Sequence, residues 1–75
     1  MVRQIREAIA NALPSPEIEV HCGNPGHFEI RVTSAAFDGK SKVQQHQLVY
    51  AAITELMSGD AAPVHAVDRL ECLVP

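Results

Sequence analysis

Residues 17–34 read EIEVHCGNPGHFEIRVTS, and the fold turns on how this stretch divides. In EIEVHC (17–22), apolar Ile18, Val20 and Cys22 alternate with Glu17, Glu19 and His21. That is the period-two pattern of a half-buried strand. GNPG (23–26) is turn chemistry. HFEIRVTS (27–34) alternates again, with Phe28, Ile30 and Val32 on one side and His27, Glu29, Arg31 and Thr33 on the other. Two such runs joined by a Gly/Pro segment predict a β-hairpin with one buried face.

Working outward, residues 2–13 set Val2, Ile5, Ile9 and Leu13 at helical spacing, with Arg3, Gln4, Arg6, Glu7 and Asn11 facing away. Pro14 and Pro16 end that helix, because neither can continue its hydrogen-bond ladder. On the other side of the hairpin, Phe37 precedes an Asp-Gly turn, and Ser41 with Gln44 matches the S-x-x-Q capping box. Val43, His46, Val49 with Tyr50, Ile53, and Leu56 with Met57 then read as the apolar stripe of a second helix, which Gly59 ends. The last segment, VHAVDRLECLV (64–74), is rich in β-formers but alternates imperfectly, which predicts a bulged third strand. The order is α-β-β-α-β. It predicts an α+β protein with both helices on one face of a three-stranded mixed sheet, as a single domain over residues 1–75.

With 47% apolar and 20% charged residues in 75, the composition is that of a globular chain rather than a disordered or fibrous one. No apolar run approaches the ~18–20 residues of a membrane span, and no secretory signal is visible at the start, so the expectation is a cytoplasmic protein without a membrane partner. A net charge of −3 argues against affinity built on neutralising phosphates. The two cysteines, Cys22 and Cys72, lack any CxxC or zinc-finger spacing and read as thiols.

Few residues suggest chemistry. His65, in APVHAV (62–67), stands at the mouth of the third strand just after the loop GDAAP. It either braces the sheet or offers a neutral imidazole to a metal. Cys22 closes the first strand at the turn, where an exposed thiol suits metal or redox chemistry, and His21 and His27 flank the same turn. His46 reads as a structural histidine on the second helix, and Cys72 as a packed thiol. GNPG matches the G-x-x-G of KH nucleic-acid-binding domains, but here it joins two strands and holds no basic residue. No Ser-His-Asp or Cys-His arrangement, Walker loop or GxGxxG is traceable, so no enzyme is expected.

FDGKSKVQQHQLVYAAITELM (37–57) followed by VHAV (64–67) resembles the signature of the BolA family, which runs F-x-G-x-S-x-V-x-x-H-x-x-V-Y, a helix, then [IV]-H-A-[LV]. HFEIRVTSAAF (27–37) is similar to the family's second strand, so the likeness covers about residues 17–67. The resemblance implies a KH-like class II topology. It also implies partnership with a monothiol glutaredoxin, sharing a [2Fe-2S] cluster held in addition by glutathione, with roles in iron–sulfur assembly, iron trafficking and stress response. Mapped onto this chain, it implies His65 as one cluster ligand and, from the first strand–strand loop, Cys22, then His27, then His21 as the second. Clusters accept imidazole in place of thiolate, as in Rieske centres, and protonation near about pH 6–6.5 displaces such a ligand. HAVDRLECLVP runs one residue longer than the family pattern, which places the expected bulge at Asp68-Arg69.

A second reading is a nucleic-acid-binding transcriptional regulator, since some BolA-like proteins are described that way. The second helix and its preceding loop would then make the contact to DNA, with Lys40, Lys42 and Arg31. A third is a stress-linked adaptor docking through the exposed face of the second helix, and a weak homodimer is a separate expectation that belongs to none of the three.

Overall fold

The computed structural model describes residues 2–14, 16–58 and 64–75. The elements run α1 (Val2–Ala12), β1 (Glu17–Asn24), β2 (His27–Thr33), a 3-10 turn (Ala35–Phe37), α2 (Lys42–Met57) and β3 (Ala66–Leu73). The three strands form one sheet in the order β1-β2-β3. β1 pairs antiparallel with β2, and β2 pairs parallel with β3, so the sheet is mixed as expected. Gly59 and the loop GDAAP, read above as the end of α2 and the approach to β3, lie outside the described residues.

Both helices pack on the sheet face that the β2 alternation marks as apolar. Phe28, Ile30 and Val32 are buried there against Ile5 and Ile9 from α1, Leu13 just after it, Val49 and Ile53 from α2, and Phe37, Val64 and Cys72. Each large side chain taken fully out of water contributes about 1.5–3 kcal/mol, which is much of what holds so short a chain together. Buried Ser34 ties the layers at one end. Its hydroxyl donates to the Pro14 carbonyl (3.3 Å) and accepts from the Ala36 amide (3.2 Å), while its own amide donates to the Leu73 carbonyl (3.0 Å). The 3-10 turn that this hydroxyl caps has no signature in the hydropathy pattern.

The capping box forms as read, with the Gln44 amide donating to Ser41 Oγ (3.2 Å) and the Ser41 amide to Gln44 Oε1 (3.0 Å). The stripe of α2 forms only in part: Val49 and Ile53 are buried and Leu56 and Met57 pack against the core, but its start is misplaced. Its buried residues are Gln45, Val49 and Ile53, whereas Val43 is 66% and Tyr50 38% exposed. The cause is the Gln45 amide. Its Nε2 donates to the carbonyls of Phe37 and Lys40, each at 3.1 Å, pinning the loop before the helix. That sets the helix so that the row through Gln45, Val49 and Ile53 meets the sheet and Val43 turns outward.

The expected bulge in β3 is present. Phe28 pairs with Val67 but Glu29 with Arg69, so Asp68 is the inserted residue. A second irregularity falls in β1, where Cys22 pairs with Phe28 and Asn24 with His27, leaving Gly23 extra.

The facing of α2 has a direct consequence. Ile53→Ala should lower the unfolding free energy by about 2–5 kcal/mol, whereas Val43→Ala, three turns away on the same helix, should change it by less than about 0.5 kcal/mol. Urea denaturation followed by circular dichroism measures both, and equal losses would contradict this orientation.

Candidate functional site

At one end of the sheet the β1–β2 turn meets the entry to β3. Asn24 and His27 close the hairpin as a pair around Pro25 and Gly26. Proline followed by a glycine at positive φ (+78°) is the sequence requirement of a type II turn. The Gly26 carbonyl accepts two hydrogen bonds from the entering strand, from the amides of His65 (2.8 Å) and Ala66 (3.0 Å). Val64, just before, is buried and donates its amide to the Leu56 carbonyl near the end of α2 (3.0 Å). The backbone of His65 is therefore held between a helix end and a turn, while its side chain is exposed. Among the described residues, no side-chain hydrogen bond engages its ring.

His27 pairs with Ala66, the first residue of β3 and the one after His65, across a strand spacing of about 5 Å. Being adjacent to buried Phe28, His27 faces away from the helices. Its Nδ1 lies 3.2 Å from Oδ1 of Asp68. An Nδ1–H donated to that carboxylate leaves the Nε2 lone pair outward, the arrangement in which a carboxylate orients a ligating histidine. The β3 bulge supplies this partner, because Asp68 is the inserted residue.

Cys22 is placed differently. It pairs with Phe28, whose other neighbour is Val67, so about two strand spacings, roughly 10 Å, separate its backbone from β3. It shares the helix-facing side of the sheet with Phe28, yet is exposed. Its thiol sits 3.1 Å from the Asn24 carbonyl across the Gly23 irregularity. His21 pairs with Glu29 on the open face. The turn thus brings His27 next to the His65 strand, with Cys22 and His21 on the far strand of the hairpin. Among the described residues, no group of three or more His, Cys, Asp or Glu side chains is placed to enclose a metal ion. His46 is half-buried on α2, in keeping with a structural role.

The basic residues of the nucleic-acid reading do not form one surface. Arg31 lies on the open face, where Nη1 is 3.2 Å from Glu19 Oε2 and Nε 3.0 Å from Glu71 Oε2. Lys42 is at the start of α2, on the helix side, and donates to the Cys72 carbonyl (3.1 Å). Lys40 is exposed in the loop before it. Two residues that read in the sequence as part of a turn or a bulge, with no site role, Gly26 and Asp68, shape the site. The proline-glycine pair and the surplus residue in the last strand were the signals for them.

A family profile described as BolA-like protein matches residues 3–73. Human BolA-like protein 1 is 38% identical over 72 residues, covering 84% of this chain and 50% of that protein. The acid stress protein IbaG of Escherichia coli K12 is 33% identical over 64 residues, covering 85% of this chain and 73% of that protein. Among solved structures, a BolA protein homologue from Coxiella burnetii superposes with a TM-score of 0.80 at 28% identity, covering 100% of this chain and 91% of that one. The chain spans half or less of the length of the mammalian relatives it matches. No helix among the described residues is long and apolar enough to cross a membrane.

The two thiols differ in access. Burial raises the Cys72 pKa above the ordinary thiol value, and the Lys42 ammonium only partly offsets this. Iodoacetamide at neutral pH should therefore modify Cys22 in the folded chain and spare Cys72, with both modified in urea. Peptide mass spectrometry reads the sites, and prompt native labelling of Cys72 would contradict the packing described.

Proposed function

Because the chain belongs to the BolA-like family, we propose that it is a partner protein that presents His65 to a [2Fe-2S] cluster shared with a monothiol glutaredoxin and glutathione. The observation that carries this reading is the exposed His65 side chain on a backbone clamped between Val64 and the Gly26 carbonyl. Ligation is favoured by an accessible imidazole on a hydrogen-bonded main chain, and these features support the reading.

His27 is the better second donor. It neighbours the strand that His65 opens, and Asp68 orients its ring. Cys22, first in order from the family resemblance, lies one strand further from the entry to β3 than His27 does. Two imidazoles are a donor set that a [2Fe-2S] centre accepts on one iron. When bound, the cluster supplies iron as the acceptor of these lone pairs and brings the two proteins together. This chain's part is to hold the imidazoles at the sheet end, and the remaining ligands come from the partner and glutathione.

Reconstitution with a monothiol glutaredoxin, glutathione, iron and sulfide, followed by visible absorption and circular dichroism, tests the reading. His65→Ala should abolish the spectrum that depends on both proteins. His27→Ala should weaken it, while Cys22→Ser should leave it largely intact. A spectrum indifferent to His65→Ala would sink the ligand assignment, and one lost with Cys22→Ser but kept with His27→Ala would reverse the order of the second donors.

A further inference from the structure

The turn does more than connect β1 to β2. A β-carbon built on Gly26 would fall on the His65 ring, in collision with Cδ2, 2.9 Å from Cγ and 3.2 Å from the His65 β-carbon. The imidazole thus occupies the space that any L side chain at position 26 would need. The same residue has φ +78° and gives its carbonyl to the His65 and Ala66 amides. One glycine therefore fixes the His65 backbone from one side and makes room for its ring on the other.

We propose that Gly26 is a positioning residue that seats the His65 imidazole, its missing side chain forming the floor against which the ring lies. Glycine here meets two separable demands. The turn needs a positive φ, which asparagine also tolerates. The seat needs the absence of a β-carbon, which only glycine among the L residues satisfies. Without that floor the ring must swing away or the turn must lift from β3. Either movement displaces the ring nitrogens, and with them the one available lone pair, relative to the strand end. The functional meaning of this seat rests on the ligand reading above, but its existence does not.

Three replacements separate the demands. Gly26→Asn keeps the turn conformation and fills the seat, and Gly26→Ala does both kinds of damage. D-alanine at position 26, introduced by chemical ligation, favours the positive φ and puts its methyl in place of the other α-hydrogen, off the imidazole. In the unmodified chain, nuclear magnetic resonance should show an Overhauser contact between the Gly26 α-protons and His65 Hδ2. Gly26→Asn should shift the His65 ring resonances and abolish contact at that ring position, while the amide pattern of β2 and β3 confirms that the sheet persists. D-alanine should leave the ring resonances close to those of the unmodified chain. In the reconstituted heterodimer, Gly26→Asn should hold the cluster about tenfold less tightly against a chelator, the low end of what losing a ligand-orienting neighbour costs a metal site.

Unchanged His65 ring resonances in Gly26→Asn would overturn the seat. A displaced ring with unchanged cluster retention would overturn its positioning role. Failure of the unmodified chain to assemble a cluster would instead count against the ligand reading, leaving the resonance experiment to judge the seat alone.

Discussion

The hydrogen bonds accepted by the Gly26 carbonyl join two parts of the chain that are distant in sequence. Through the His65 and Ala66 amides they dock the start of β3 onto the hairpin turn, and the parallel β2–β3 register runs on from that point. A parallel pair cannot be closed by a tight turn, so its alignment has to be set by such a crossover contact. Val64, buried and bonded to the Leu56 carbonyl, anchors the same crossover to α2. Several elements thus converge on this end of the sheet, and the exposed histidine sits at that junction.

The two faces of the sheet do different work. One is covered by α1 and α2 and holds the apolar core. The other carries charge across all three strands, where Arg31 bridges Glu19 on β1 and Glu71 on β3. Each such exposed pair contributes little by itself. Together they match opposite charges across neighbouring strands and occupy the guanidinium that a phosphate-binding surface would need. The site lies at the end of the sheet, between these faces, where strand alternation sends Cys22 to one side and His27 to the other.

The strands were legible because β2 is half-buried. One apolar and one charged face write a period of two directly into HFEIRVT. α1 was legible for the same reason, with Ile5, Ile9 and Leu13 buried in the order read. α2 showed where it starts, through its capping box, but not which way it faces. Hydropathy ranks Val43 above Gln45, whereas the buried Gln45 amide answers two loop carbonyls that hydropathy does not register. The surplus residue in the last strand announced a bulge, yet its partner His27 lies 41 positions earlier in the chain.

By itself the sequence determined the order of elements, the sheet's buried face, the helix cap and the identity of the candidate donors, since each is encoded in local spacing. Tertiary structure decided which donors lie nearer one another, which face of α2 meets the core, and that the His65 ring lies over position 26. Those outcomes depend on contacts between residues far apart in the chain, where strand register and packing, rather than local periodicity, set the distances.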